Sequence, residues 1–203
     1  EADYPTLTQT ELTADINSIG GSDPAPFLIS SPAALETFAS VVNAGNDFAG
    51  KFVKLTADID LESKQWTPIG DYYGTAFKGT FDGNGYQVQN LYFNKTAGVG
   101  DYISAGLFGD VIDGTIRNLG VIISEKGLNG ITTNDQSTPN SCYFGGITAY
   151  TRSTTIENCY TTGGFIYSTK GDYNRGMSCA GGIVGLMESN TTIKNCYSTI
   201  DIY

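Results

Sequence analysis

A short pattern repeats three times along the chain, and this repeat limits the possible folds more than any other feature. In each copy a segment of glycine and apolar residues is followed by a polar turn, and then by Thr, Ile, a charged residue and Asn. The three copies span Gly106–Leu119, Gly145–Tyr160 and Gly181–Tyr197. Gln87–Leu91 matches only the second half of the pattern and is interpreted as a fourth, weaker copy.

The repeat predicts a mainly β protein built as a β-solenoid. The asparagines of the four copies stand at positions 90, 118, 158 and 195, so the spacings are 28, 40 and 37 residues. Periods in this range are typical of solenoids and propellers, and a variable period around a constant pattern favours coils with loops of different length. Such insertions are found at 127–140 and 171–176. The repeat itself is rich in β-branched and aromatic residues bounded by Gly and Asn, which indicates strands.

The repeated asparagines are predicted to form a hydrogen-bonded ladder. In a parallel stack each residue lies ~4.8 Å from its counterpart, so identical amide side chains can satisfy one another along the stack. Asn also tolerates the left-handed backbone conformation that a sharp corner requires. The predicted members of the ladder are Asn90, Asn118, Asn158 and Asn195.

Four cysteines follow the same repeat. Cys142 and Cys179 are 37 residues apart, as are Cys159 and Cys196, so each pair is interpreted as one repeated position. Two alternatives remain, disulfides between neighbouring coils or free thiols. Free thiols are favoured, because Cys159 stands where an earlier copy has Leu119 and because in-register parallel strands do not give a disulfide its relaxed geometry.

The N-terminal part departs from the strand pattern. Ser31 and Pro32 provide an N-cap and a first-turn proline, and Gly45 provides a stop, which predicts a helix over about 32–44. A solenoid end exposes core residues and an unpaired strand edge, so this helix is predicted to cap that end. Its apolar face consists of Leu35, Phe38 and Val42.

The predicted organisation is therefore one elongated molecule with three parts. Residues 1–26 are a polar linker or tether, 27–80 form a cap with the helix and the first strands, and 81–203 form the β coils. Because the sequence begins at Glu1 without Met, a cleaved secretory signal or a lipid anchor upstream of Glu1 is expected. The expected location is extracellular or at the outer cell surface.

Composition excludes several classes of function. The 203 residues contain 11 Lys and Arg against 21 Asp and Glu, for a formal net charge of -10, which disfavours nucleic acid as a partner. Histidine is absent, so Ser-His-Asp catalysis and His-based zinc sites are excluded. No stretch reaches the ~18 apolar residues that a transmembrane helix needs.

Several motifs, taken in order, resemble the GLUG-repeat proteins. The resemblance covers about residues 27–203 and implies a right-handed parallel β-helix with a surface or secreted role in bacteria, including the gut Bacteroidetes. It brings no catalytic residues. Thr148 and Ala149 depart from the motif, so the coil that contains them is expected to be irregular. The motifs are Leu55–Leu61, Trp66–Gly70, Phe77–Gly85, Asn90–Leu91, Gly106–Gly109 and Gly182–Gly185.

Acidic residues provide one candidate site. Asp58 and Asp60 share one face of a strand and Asp82 follows a later strand. Carboxylates in such groups can bind Ca²⁺ or act as a pair in glycoside cleavage. A solvated acidic surface is the favoured interpretation, so no cofactor is expected, with calcium as the open alternative.

Tyrosines provide the second candidate site. Tyr72, Tyr73 and Tyr173 lie in polar loop segments, where an exposed ring can stack on a sugar or on a partner protein. The function that follows is a non-catalytic, adhesin-like surface protein whose loops bind a host or bacterial surface protein or a glycan. The alternatives are a polysaccharide-active enzyme that uses a carboxylate pair, and a structural stalk.

Overall fold

The computed structural model describes residues 22–23, 25–97, 101–132, 141–169 and 177–203. In this part the chain is mainly β, with helix α1 at Pro32–Asn43. The strands are β1 Phe27–Ile29, β2 Phe52–Leu55, β3 Ile59–Asp60, β4 Thr80–Asp82, β5 Gln87–Ala97, β6 Tyr102–Ala105, β7 Phe108–Ile112, β8 Thr115–Arg117, β9 Gly120–Thr132, β10 Ser141–Gly145, β11 Thr148–Arg152, β12 Thr155–Glu157, β13 Tyr160–Gly163, β14 Phe165–Thr169, β15 Ser178–Gly181, β16 Val184–Met187, β17 Thr192–Lys194, β18 Tyr197–Ser198 and β19 Asp201–Ile202.

The strands form four parallel sheets. Three have the orders β1-β2-β4-β8-β12-β17, β15-β10-β6 and β16-β11-β7, and the fourth contains β3, β5, β9, β13, β14, β18 and β19. From β6 onward the chain visits the four sheets in the same order on every pass. We call these passes the first coil (β6–β9), the middle coil (β10–β14) and the terminal coil (β15–β19). The prediction of a mainly β protein with parallel stacked strands is confirmed.

Equivalent residues of the repeat pair directly across the sheets. Ile116 pairs with Ile156, and Ile156 pairs with Ile193. Ile116 and Ile156 are fully buried, as expected for residues that fill the interior of the stack. The expected irregularity at Thr148 and Ala149 is wrong, since β11 pairs with β7 on one side and with β16 on the other without a shift of register.

The copy assigned to Gln87–Leu91 is wrong in register. It lies on β5, which pairs with β9, the strand that follows the asparagine corner of the first coil. The structural counterpart of Thr115–Arg117 is Thr80–Asp82, and that segment continues with glycine instead of Asn. Asn90 consequently lies apart from the other asparagines, and its Nδ2 donates to Oδ1 of Asp60 at 2.8 Å.

The remaining three asparagines form a hydrogen-bonded row at one corner. Nδ2 of Asn195 donates to Oδ1 of Asn158 at 3.2 Å, and Nδ2 of Asn158 donates to Oδ1 of Asn118 at 3.1 Å. The row continues to Asp82, whose Oδ1 accepts from Nδ2 of Asn118 at 3.0 Å. All three asparagines have φ between +53° and +54°, so each one both turns the chain and bonds to its neighbours.

Replacing the central member of this row is expected to destabilise the fold. Asn158→Ala removes two hydrogen bonds, each worth about 1 kcal/mol, and puts a Cβ-bearing residue without a local polar group in the left-handed region. We expect the free energy of unfolding to fall by about 2–3 kcal/mol, and by less in Asn158→Gly, which relieves the backbone. Urea unfolding followed by circular dichroism measures both. Wild-type stability in both variants would contradict a stabilising role for the row.

Helix α1 begins at the predicted signals. Oγ of Ser31 accepts from the N–H of Ala34 at 3.3 Å, and Pro32 occupies the first turn. Gly45 follows the helix with φ of +118°, a conformation that glycine adopts without strain. The helix thus ends within one residue of the predicted boundary.

The helix packs on the core beside the first strands. Leu35, Phe38 and Val42 are fully buried, and the ring of Phe38 lies 5.0 Å from that of Phe48 and 5.7 Å from that of Phe77, edge to face in both cases. Strands β1, β2 and β4 belong to the same sheet as β8, β12 and β17. The described cap and coils therefore share one sheet, and β4 crosses the boundary predicted between residues 80 and 81.

The cysteines are free thiols. Cys159 and Cys196 lie at equivalent corners, and the N–H of Cys159 points at Sγ of Cys196 at 3.4 Å. Burial raises the pKa of Cys142 and of Cys159 to about 12, so both thiols stay protonated and behave as small core residues.

Cys142 and Cys179 are not counterparts, contrary to the sequence interpretation. Cys142 pairs with Ser178, whereas Cys179 pairs with Tyr143. Because neighbouring residues of a strand point to opposite faces, the two thiols are on different sides of the sheet. Cys142 is in the main core, and Cys179 packs with Tyr143 outside it.

Candidate functional site: a tyrosine cluster beside a groove

The loop that carries the Tyr72–Tyr73 pair is fixed to strand β7 at both ends. At its start the N–H of Gly109 donates to the carbonyl of Ile69 at 2.9 Å, and at its end the N–H of Phe77 donates to the carbonyl of Asp110 at 3.0 Å. Backbone bonds of this kind hold the loop at a defined place on the sheets, so the two tyrosines are presented by a fixed support.

Five tyrosines meet where this loop crosses the first and middle coils, and we call them the tyrosine cluster. Tyr72 is at the centre, with ring centroids 5.4 Å from Tyr102 (stacked, 6°), 5.1 Å from Tyr150 (edge to face) and 5.8 Å from Tyr143. Tyr73 lies edge to face with Tyr102 at 4.6 Å. Offset-stacked and edge-to-face pairs are the favourable arrangements for aromatic rings.

The rings of the cluster differ in exposure. Tyr143 and Tyr150 are 5% and 4% exposed, whereas Tyr73 is 68% exposed. The pKa of Tyr73 is raised to about 12, mainly by a hydrogen bond to Tyr102 and to a smaller extent by desolvation. The cluster is therefore a packed aromatic base that holds one ring, Tyr73, in solvent and neutral over the physiological pH range.

A groove of about 240 Å³ lies next to the cluster. Tyr102 belongs both to the cluster and to the groove wall, and Asp71, Lys95 and Ser104 supply polar groups to the same wall. Within the described residues, Oγ of Ser104 is buried and has no hydrogen-bond partner. An aromatic surface beside a groove with a few polar groups is the usual composition of a small-ligand site.

A buried carboxyl lies beside the cluster. Asp110 pairs with Tyr150 across β7 and β11, is 3% exposed, and has an Oδ1 without a hydrogen-bond partner in the described structure. Burial raises the pKa of Asp110 to about 7; Arg152 lowers this pKa, and the Asp71 and Glu188 carboxylates raise it. Burial also raises the pKa of Tyr150, and the Glu188 carboxylate raises it further.

The acidic candidates from the sequence lie elsewhere and accept hydrogen bonds at chain turns. Oδ1 of Asp58 accepts from the N–H of Gln87 at 2.9 Å, and Oδ1 of Asp60 accepts from Asn90 and from the N–H of Glu62, each at 2.8 Å. Both hydrogen bonds lower the pKa of Asp60, and the bond from Asn90 lowers it more than the bond from Glu62.

Asp82 is paired with a cation. Its Oδ2 accepts from Nε of Arg117 at 2.9 Å. Burial raises the pKa of Asp82, but the bonds from Asn118, Asn84 and Arg117 outweigh burial and lower it overall.

The three aspartates serve as hydrogen-bond acceptors at turns and do not line the groove beside the cluster. Across the described part of the chain, no three His, Cys, Asp or Glu side chains are placed to hold a metal ion, whereas Ca²⁺ takes six to eight oxygen ligands. The groove is lined by Asp71 and not by Asp58, Asp60 or Asp82. We therefore propose no function for these three residues beyond turn stabilisation.

Sequence reasoning found part of the tyrosine cluster. Tyr72 and Tyr73 belong to it, whereas Tyr173 lies outside the described residues. Tyr143 and Tyr150 were missed, although a usable signal existed. Both flank the glycine-apolar segment of the middle coil, and strand alternation turns Tyr143 away from its buried neighbours Cys142 and Phe144.

The fold and the site define a mainly β protein of stacked parallel coils, with an aromatic cluster beside a polar groove. Residues 176–203, which contain the terminal coil, match the family model of the GLUG motif. In the described structure, no helix combines the length and the apolar character needed to cross a membrane.

Two curated relatives are similar to about half of the chain. A proposed Gly-rich membrane protein of Evansella cellulosilytica is 36% identical over 101 residues, which is 49% of this chain and 11% of the relative. Halomucin of Haloquadratum walsbyi is 31% identical over 116 residues, 55% of this chain and 1% of the relative. The chain thus spans only a small part of either protein.

One solved structure is similar over most of the chain. It is a proposed immunoglobulin A1 protease from Bacteroides ovatus, with 18% sequence identity and a TM-score of 0.38, covering 92% of this chain and 79% of that one.

Proposed function

We propose that this chain is a right-handed parallel β-helix at the bacterial surface or in the extracellular space, and that it binds carbohydrate through the tyrosine cluster without catalysis. The handedness is supported by a general rule, since crossovers between parallel strands of one sheet are right-handed in about 98% of cases. The repeated order of the sheets along the chain supports the helix, and the GLUG match and the Gly-rich membrane relative support the location.

The observation that carries the binding proposal is the position of Tyr73. Its exposed ring stands on a packed base of tyrosines, beside a groove whose wall carries polar groups. Sugars present flat C–H faces that stack on aromatic rings and hydroxyls that bond to polar walls. Tyr102 supplies a ring, and Asp71 and Lys95 supply polar groups in the groove wall. Because the base is packed before any ligand arrives, little ordering cost is expected on binding.

The alternatives have less support. An enzyme with Asp58, Asp60 or Asp82 as its carboxylates has less support, because the groove beside the cluster is lined by Asp71 and Asp82 lines a separate small cavity of about 50 Å³, next to Arg117 and Lys54. A purely structural stalk gives no reason for a ring as exposed as Tyr73 above a cluster whose other rings are buried or half-buried.

Removal of the exposed ring tests the proposal. A glycan array identifies a ligand, and titration calorimetry then compares the wild type with Tyr73→Ala. We expect Tyr73→Ala to weaken binding about tenfold, since stacking on one ring contributes about 1 kcal/mol or slightly more. Tyr197→Ala is the matched control, because Tyr197 is also exposed but lies in the terminal coil. Absence of any array ligand, or equal effects of the two variants, would contradict the proposal.

A further inference from the structure

A second cavity lies along helix α1 and adjoins the groove beside the tyrosine cluster. Its volume is about 250 Å³, close to that of the groove. Thr67 is exposed and belongs to the walls of both. The second cavity is lined by Glu36, Ala39, Ser40, Gln65, Trp66 and Thr67.

One face of helix α1 borders both cavities. Glu36 and Ser40 line the second cavity and Asn43 lines the groove, and residues spaced by three or four positions lie on the same face of a helix. At a rise of about 1.5 Å per residue, these positions extend over about 10 Å of the helix axis. The opposite wall runs the same way, since residues 65–67 line the second cavity and residues 67–68 line the groove. The two cavities therefore follow each other along one trough.

Hydrogen bonds hold the walls of this trough in place before any ligand binds. Nδ2 of Asn43 donates to the carbonyl of Pro68 at 3.0 Å, and Oδ1 of Asn43 accepts from the N–H of Gly70 at 2.8 Å. Trp66 is 4% exposed, and its Nε1 donates to the carbonyl of Leu107 at 3.0 Å. The helix and the opposite wall are thus tied together, which keeps the ordering cost of binding low.

The size of the trough indicates an extended ligand. Small-molecule pockets usually have about 300–1,000 Å³. Each of the two cavities is smaller than this range, whereas together they fall within it. A ligand that fills both must reach from the tyrosine cluster past Thr67 toward Glu36, which a single sugar ring bound at the cluster does not do.

The polar groups of the walls indicate a neutral ligand. The charged residues among the described wall residues are Asp71 and Lys95 in the groove and Glu36 in the second cavity. Carboxylates accept hydrogen bonds from sugar hydroxyls, and the side chains of Ser40 and Gln65 can both donate and accept. Because acids outnumber bases here and the whole chain has a formal net charge of -10, a polyanionic chain is disfavoured.

We propose that the groove and the second cavity form one cleft for a neutral oligosaccharide, with one sugar unit at the tyrosine cluster and further units along helix α1. This inference rests on the proposed function, since it extends the same site. It adds the class of carbohydrate, namely an uncharged chain of several units instead of a single terminal sugar.

Trp66 allows the second cavity to be observed by itself, because it is the single tryptophan of the chain. The probes are cello-, malto- and manno-oligosaccharides, each as the disaccharide and the hexasaccharide. Calorimetry measures binding, and the Trp66 emission measures occupancy of the second cavity. For at least one linkage we expect the hexasaccharide to bind about tenfold more tightly than the disaccharide, through one or two additional hydrogen bonds. The hexasaccharide is expected to change the Trp66 emission, and the disaccharide is not.

A bulky residue at Ser40 tests the path along the helix. Ser40 is exposed, and Ser and Phe have similar helix propensities, so Ser40→Phe is expected to fill the second cavity without unfolding the helix. Its affinity for the hexasaccharide is expected to fall to that for the disaccharide, which stays unchanged. Ser40→Ala is the matched control and is expected to keep the preference for the hexasaccharide, because Oγ of Ser40 already donates to the carbonyl of Glu36 at 2.9 Å. Tyr73→Ala is expected to weaken binding of both lengths.

Three outcomes would overturn the extended cleft. The first is equal affinity for the disaccharide and the hexasaccharide, and the second is a preference for the hexasaccharide that persists in Ser40→Phe or leaves the Trp66 emission unchanged at saturation. The third is absence of binding by all three hexasaccharides up to about 10 mM. Each of these outcomes leaves the proposed function in place where a ligand from the glycan array still depends on Tyr73, so the two failures are distinguishable.

Discussion

At pH 8, Asp110→Asn is expected to be more stable than the wild type, by as much as about 4 kcal/mol. Asp110 is 3% exposed and its pKa is raised to about 7 from an ordinary value of 3.8, chiefly by burial. Each pKa unit corresponds to about 1.4 kcal/mol, which sets the upper size of the effect. Asn has nearly the same shape and carries no charge at any pH, so it avoids the cost of a buried carboxylate.

The sign of the pH dependence follows from the two pKa values. Between about pH 4 and pH 7 the unfolded wild type has lost the Asp110 proton while the folded protein retains it, so wild-type stability decreases as pH rises through this range. Above about pH 7 the Asp110 carboxyl is ionised in both the folded and the unfolded state, so the stability difference between the variant and the wild type stays constant. Below about pH 4 both states are protonated, and the two proteins are expected to differ by less than about 1 kcal/mol.

Urea unfolding of both proteins at pH 4, 6 and 8 measures this difference directly. Other carboxylates titrate in both proteins, so the quantity to compare is the difference between variant and wild type at each pH. Asp201→Asn, at an exposed position, is the control for loss of one negative charge. A difference that is constant from pH 4 to pH 8 would refute the raised pKa.

The coil pattern could be predicted from the sequence because it depends on contacts between like residues. Ile116, Ile156 and Ile193 fill equivalent places, and Asn118, Asn158 and Asn195 bond to one another. Repeats of this kind show the period in the sequence itself. The helix cap was also predictable, because its signals at Ser31 and Pro32 are local.

The errors arose where the register changes between coils. Gly145 and Gly181 are 36 residues apart, whereas Ile156 and Ile193 are 37 apart. The paired positions show where the register changes, since Thr151 pairs with Met187 but Thr155 pairs with Thr192, so the terminal coil has one extra residue in this interval. A single period of 37 therefore misplaced Cys179. Asn90 was misplaced for a related reason, since the true counterpart of Asn118 is a glycine.

The tyrosine cluster was only partly predictable because it depends on the path of a loop. Tyr72 and Tyr73 precede Tyr143 and Tyr150 by about 70 residues, and nothing local shows that their loop is pinned to β7. The raised pKa of Asp110 has the same origin, since its burial results from contacts between distant segments.

Gly145→Ala is expected to destabilise the protein by about 3 kcal/mol or more. This substitution tests whether close packing of the coils requires the glycines of the repeat. Gly145 pairs with Gly181 in the neighbouring coil. A Cβ at this position would overlap the carbonyl oxygen of Thr148 and would lie 2.7 Å from the Gly185 nitrogen and 2.9 Å from the Ile183 oxygen. All three are backbone atoms held in strands or turns, so the steric overlap can be relieved only if the coil shifts. Overpacking of this kind costs about 1–3 kcal/mol or more.

Two other glycines separate crowding from backbone conformation. Gly50 has φ of +69°, and a Cβ added there would have no atom within 4 Å, so Gly50→Ala carries only the left-handed penalty, about 1 kcal/mol. Gly181→Ala would crowd the backbone of one residue, Val184, with the Gly185 nitrogen at 3.8 Å, whereas Gly145→Ala crowds backbone atoms of three residues. The expected order of destabilisation in urea is therefore Gly145, then Gly181, then Gly50. If Gly145→Ala is no less stable than Gly50→Ala, then the glycine repeat reflects backbone conformation and not the close approach of the coils.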